Sequence, residues 1–158
     1  MKILTEMQQQ GLINPISDCM PRNIDLNRNF SVKIDERENV ENTIRNLPNG
    51  TSRWYTDGSR TDQGTGIGVY GPRIKRSVAL GQTPTIFQAE TYAINLYALL
   101  CLQRGYNRTE IYIMSDSQSA IRALGSTTFN SKLVWESYKN LQLLSANNRV
   151  TLMWDRDM

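Results

Sequence analysis

The stretch Trp54-Tyr55-Thr56-Asp57-Gly58-Ser59 decides how this sequence folds. It is apolar and β-prone, it ends on a carboxylate, and Gly58-Ser59 supplies turn chemistry directly behind the acid. Two later stretches have the same build. Phe87-Gln88-Ala89-Glu90 opens the longest helical pattern, and Ile113-Met114-Ser115-Asp116-Ser117 closes the most apolar strand pattern. In each, an acid stands at the edge of a segment that otherwise reads as core. Three such acids, in the order strand, helix, strand, predict a carboxylate cluster able to hold metal.

Downstream of Asp57, Gly64 to Tyr70 reads as a second strand and Ile74 to Leu80 as a third, joined by Gly71-Pro72. Short connections between successive strands indicate an antiparallel meander. The Gly64, Gly66 and Gly68 spacing is not a dinucleotide fingerprint, because no helix follows it. Thr85 caps a helix running to about Arg104, with Phe87, Glu90, Ile94, Tyr97 and Cys101 on one stripe and Gly105 behind it. Ile111 to Met114 is apolar on both sides, as a central strand covered on both faces is. Ser117 to Leu124 and Ser131 to Ser145 read as helices, and Val150 to Trp154 as a last strand. The order β-β-β-α-β-α-α-β predicts an α/β fold, a mixed sheet with helices on its faces.

Upstream the pattern is weaker. Residues 1–32 are rich in Asn, Gln, Ser and Pro without a sustained period, and read as a loosely ordered lead-in. Residues 35–47 place Val40, Ile44 and Leu47 on one helical face before Pro48-Asn49-Gly50 stops the run. Two units are expected: 1–50, a polar linker with a short helix, and 51–158, the folded domain.

Composition removes many chemistries. There is no histidine, which excludes Ser-His and Cys-His nucleophiles, His-ligated zinc and His acid–base catalysis. Cys19 and Cys101 fit no ligand spacing, and so few cysteines point to a reducing, intracellular compartment, cytoplasmic or nuclear. No run is long and apolar enough to span a bilayer, and no membrane partner is expected. The net charge is +3, with six Lys/Arg against seven Asp/Glu in residues 1–50 and twelve against eight in 51–158. The positive excess thus accompanies the acids, as in a domain that touches phosphates, and equally as in an ordinary basic surface.

Glu90 carries the most information. It shares a stripe with Phe87, Ile94 and Tyr97, and no Lys or Arg stands three or four positions away to pair with it. An ionised carboxylate turned toward a core costs several kcal/mol and persists only with compensation. Asp57 alone could open an Asp-Gly-Ser turn, and Asp116 alone could cap the following helix. Together with Glu90 they form an oxygen-only donor set, suited to Mg2+ or Mn2+ rather than zinc or copper. Two such ions can activate water and stabilise a leaving oxygen in phosphodiester cleavage, so the lack of histidine is no obstacle.

Tyr55-Thr56-Asp57-Gly58-Ser59, then Phe87-Gln88-Ala89-Glu90, then Ser115-Asp116-Ser117-Gln118-Ser119-Ala120 together resemble the type 1 ribonuclease H domain. The flavour is that of non-LTR retrotransposon polyproteins, insect ones in particular, and the likeness covers about residues 51–154. It implies a ribonuclease H-like fold with a five-stranded mixed sheet, and two Mg2+ ions (Mn2+ as substitute) used to cut the RNA strand of RNA–DNA hybrids. Asp57, Glu90 and Asp116 fall on the first three metal ligands of that family. Gly58, Ser59, Gln88 and Ser117 fall where substrate phosphate or 2′-OH groups would be met, and ordinary turn and capping roles suit them equally.

The sequence departs from the family in two places. Trp154 is followed by Asp155-Arg156-Asp157-Met158, without the Pro-Gly-His segment, the fourth acid or the terminal helix. Residues 125–131 offer no basic protrusion, so an attached reverse transcriptase is the expected source of extra hybrid affinity. Two other readings stay open: a catalytically impaired hybrid-binding module, and a degenerate fragment that folds poorly.

Overall fold

The computed structural model describes residues 27–34, 42–43, 45–47, 51–72 and 74–155. Six strands form one sheet: β1 (Ser31–Lys33), β2 (Ser52–Thr61), β3 (Gly64–Gly71), β4 (Ile74–Gly81), β5 (Glu110–Ser115) and β6 (Arg149–Trp154). Their spatial order is β1-β6-β5-β2-β3-β4. The β2-β3-β4 meander is antiparallel, whereas β2-β5, β5-β6 and β1-β6 are parallel. Helices α1 (Ile86–Gln103), α2 (Gln118–Leu124) and α3 (Lys132–Ser145) pack against the sheet in an α/β architecture.

Strand β2 is central and its alternation is clean. Ser52, Trp54 and Thr56 are buried toward α1, while Arg53 and Tyr55 are half-buried on the other face. Trp54 is fully enclosed, edge-on to Tyr97 of α1 at 4.2 Å between centroids, with its indole N–H donating to Ser52 Oγ at 2.7 Å. Helix α1 begins with a capping box: Gln88 N–H donates to Thr85 Oγ1, and Thr85 N–H donates to Gln88 Oε1. From Gln88 to Ala98 every residue of α1 is buried, so this helix lies between the sheet and α3 and carries most of the core.

The structure corrects two expectations. The sheet has six strands and not five, because Ser31–Lys33, which begins inside the expected lead-in 1–32, pairs in parallel with Thr151–Met153. Phe30 anchors this strand: it is 2% exposed and packs edge-on to Tyr138 of α3. A lone aromatic in a polar stretch has no periodicity to betray it, and its partner lies more than a hundred residues away. Second, β2 does not turn after Asp57. It continues to Thr61 and turns at Asp62-Gln63, since Gly58 and Ser59 pair with Ile67 and Gly66 across the ladder. Helix α2 is capped by Ser117, whose Oγ accepts from Ala120 N–H, so the alternative of Asp116 as the cap does not apply.

Of the expected helix at 35–47, residues 35–41 and 44, with Val40 and Ile44, lie outside the described residues. Asn42, Thr43 and Arg45 are helical, and Leu47 is buried against Tyr112, Met114 and Met153 on the sheet face opposite α1. Cys101 is a free, buried thiol, as its place on the α1 stripe predicts, while Cys19 lies outside the described residues.

Candidate metal centre

Parallel pairing of β2 with β5 brings the acids together. The register Thr56↔Ser115 is the last rung of that ladder, so Asp57 and Asp116 are the next residues on neighbouring chains. The end of β5 is fixed on both sides. Thr56 Oγ1 donates to Met114 O at 3.4 Å, Asp155 N–H to Ser115 O at 2.9 Å, and Trp154 Nε1 to Asp116 O at 3.0 Å. Glu90 arrives from the second turn of α1. One carboxylate oxygen from each of Asp57, Glu90 and Asp116 lies within 4.8 Å of the other two.

Gly58 makes this convergence possible. A Cβ there would fall 2.9 Å from Glu90 Cδ, 3.0 Å from Glu90 N and 3.1 Å from Glu90 Oε1. Any side chain at 58 would therefore push α1 off the strand. The Asp-Gly pair reads in the sequence as a turn, whereas the fold uses the glycine for close approach of helix to strand.

The three carboxyls crowd and desolvate one another. Glu90 is 4% exposed and its carboxyl is pushed up to about 8, by burial first and by the Asp116 and Asp57 charges, against the pull of a hydrogen bond from Gly58 N–H. The Asp116 carboxyl is also raised, by burial and by Asp57, with its own backbone amide opposing. Glu90 Oε2 is buried without a hydrogen-bond partner, which is costly unless a cation meets it. Crowded acids, an orphaned oxygen and an all-oxygen donor set fit a hard divalent ion such as Mg2+ or Mn2+.

The four residues expected at substrate contacts fall into different surroundings. Gly58 sits against Glu90, and Ser59 is exposed on the strand beyond Asp57. Ser117 is half-buried beside Asp116 but engaged as the cap of α2. Gln88 is 9% exposed and its side-chain oxygen is held in the α1 capping box. Sequence reasoning missed Trp154 as a clamp on the Asp116 backbone; the indole's position next to the strand end was the available signal.

No family model matches the sequence, and no curated protein matches it. The fold is similar to the crystal structure of RNase H1 from the halophilic archaeon Halobacterium salinarum NRC-1, with a TM-score of 0.52 and 18% identity. The likeness covers 66% of this chain and 83% of that one. At this identity the likeness is one of fold: a mixed sheet flanked by helices, of the ribonuclease H-like α/β type. Among the described residues no helix is long and apolar enough to cross a membrane.

Proposed function

We propose that this chain is a divalent-metal-dependent endoribonuclease that cuts the RNA strand of RNA–DNA hybrids, derived from a retrotransposon and working beside a reverse transcriptase. The observation that carries the proposal is the convergence of Asp57, Glu90 and Asp116 within 4.8 Å on a ribonuclease H-like fold. The nuclease unit is 51–158 together with residues 27–34, which add a strand to the sheet and pack on α3.

Asp57, Glu90 and Asp116 would hold the metal. Mg2+ held there would activate a water and stabilise the leaving oxygen, work that histidine does elsewhere by proton transfer. The chain's own residues do the positioning. The β2–β5 ladder fixes the two Asp, Gly58 admits Glu90, and the Trp154 indole holds the Asp116 backbone. Because Glu90 is buried, it binds metal only as its proton leaves, so affinity rises with pH up to about 8.

The test is direct. The purified chain with Mg2+ or Mn2+ should release labelled fragments from the RNA strand of a hybrid, and leave the DNA strand and single-stranded RNA intact. Asp57→Asn and Asp116→Asn should each abolish cleavage while the fold persists by circular dichroism. Cleavage that survives either change refutes the ligand assignment. A hybrid-binding module without turnover is the second reading, favoured because the cluster holds three acids among the described residues. Salt-dependent hybrid binding with no product in either metal would select it.

A further inference from the structure

The sheet face that carries Asp57 also carries a tyrosine and a lysine in an arrangement the acid cluster does not require. Residues 66, 68 and 70 of β3 share this face, while Ile67 and Val69 are buried toward α1. Gly68 is the cross-strand partner of Asp57. The Tyr70 ring folds back over Gly68, so that a Cβ at 68 would meet the Tyr70 hydroxyl oxygen at 2.9 Å and the ring carbon Cε2 at 3.0 Å. The Tyr70 hydroxyl therefore occupies the space a side chain at 68 would fill, opposite Asp57 across the ladder.

Lys75 of β4 is the cross-strand partner of Tyr70, and its ammonium lies 5.5 Å from the Tyr70 ring centroid. The ring is thus held between the Gly68 backbone and a cation, which restricts both side chains before any ligand arrives. Tyr70 is still 37% exposed and Lys75 is exposed. Among the described residues no hydrogen bond engages the Tyr70 hydroxyl, and no carboxylate pairs with Lys75. Ser77, also exposed, faces Gly68 from the other side. An ammonium held over a tyrosine ring and flanked by hydroxyls, two strands from Asp57 on the same sheet face, suits a backbone phosphate close to the one at the acid cluster.

We propose that Lys75 and Tyr70 bind the nucleic-acid backbone beside the metal centre, with Lys75 pairing one phosphate and Tyr70 both mounting the lysine and donating its hydroxyl. This inference rests on the hybrid-nuclease reading. Lys75 and Tyr70 are positioning residues, acting on affinity and register rather than on the reacting atoms.

The experiment measures hybrid binding by the cleavage-silent Asp116→Asn protein over a salt series, and steady-state cleavage in the parent, for Lys75→Ala, Lys75→Arg, Tyr70→Ala, Tyr70→Phe and Lys139→Ala. Lys139 is a control of equal charge on α3, paired with Glu136 at 2.7 Å. Lys75→Ala should weaken binding about fivefold, lower the magnitude of the log–log salt slope by roughly 0.9 and raise KM with kcat nearly unchanged, as loss of one phosphate contact does. Tyr70→Ala should reproduce the affinity loss, Tyr70→Phe should show part of it, and Lys75→Arg should restore the slope. A Lys75→Ala protein that matches Lys139→Ala in affinity and slope, while the parent binds and cleaves hybrid, overturns this inference alone. A parent that binds no hybrid overturns both this inference and the nuclease reading.

Discussion

Replacing Glu90 by Gln isolates the free energy of holding a buried acid ready for metal. In the folded, metal-free protein the carboxyl is pushed up to about 8 from 4.5. Between those pH values the folded state keeps a proton that the unfolded chain releases, so stability falls as pH rises. The contribution is fully present below about pH 4.5 and is lost as pH passes through 8. For one group displaced this far, the loss between pH 5 and pH 8 is roughly 3 kcal/mol. Glutamine keeps the shape and the contact with Gly58 N–H but does not titrate. The stability difference, Glu90→Gln minus parent, should therefore grow by roughly 3 kcal/mol across that range, or about 6–12 °C in Tm for a domain of this size. Asp116 is also raised, but by burial and Asp57 rather than Glu90, so its decline with pH is common to both proteins and cancels. The assay is urea unfolding in EDTA at pH 5, 6, 7 and 8, followed by tryptophan fluorescence. Mg2+ at a hundred times its Kd should close most of that gap at pH 8, stabilising the parent and not the variant. A difference that stays flat with pH, or a variant less stable than the parent at pH 8 without metal, refutes the claim that Glu90 is held against its charge.

Three further outcomes are expected. Gly58→Ala places a methyl 2.9 Å from Glu90 Cδ and 3.0 Å from the Glu90 backbone nitrogen, and the backbone cannot yield as a side chain can. It should cost about 1–3 kcal/mol by urea unfolding and at least about tenfold in Mg2+ affinity by calorimetry; an alanine protein equal to the parent in both would show that the close approach does not build the site. Phe30→Ala should lower stability by about 3–5 kcal/mol with an unchanged m-value, and an unmoved midpoint would show that β1 is not part of the cooperative unit. Mg2+ at a hundred times its Kd should stabilise the parent by about 2.7 kcal/mol and leave Asp57→Asn unmoved, a difference readable as a shift in Tm.

The sequence by itself determined most of the elements and the identity of the acids. Alternation around Trp54, the period along α1 from Phe87 to Cys101 and the doubly apolar Ile111 to Met114 each follow from local burial, which is written in nearest neighbours along the chain. Glu90 could be singled out because a charge on a buried stripe conflicts with its surroundings, and such conflicts mark sites. Their order of strand, helix, strand pointed to one cluster, and resemblance to a known domain implied the same centre.

The tertiary structure decided what depends on residues far apart in the chain. Whether Asp-Gly is a turn or a continuing strand was settled by β3, whose ladder carries Gly58 and Ser59 onward to Thr61. The place of Phe30 was settled by Tyr138, and that of the Tyr70 hydroxyl by the absence of a side chain at Gly68. Cross-strand register and helix-to-strand distance are long-range quantities with no local period to announce them. For that reason a sequence can name three acids, and only a folded sheet can bring their oxygens within 4.8 Å.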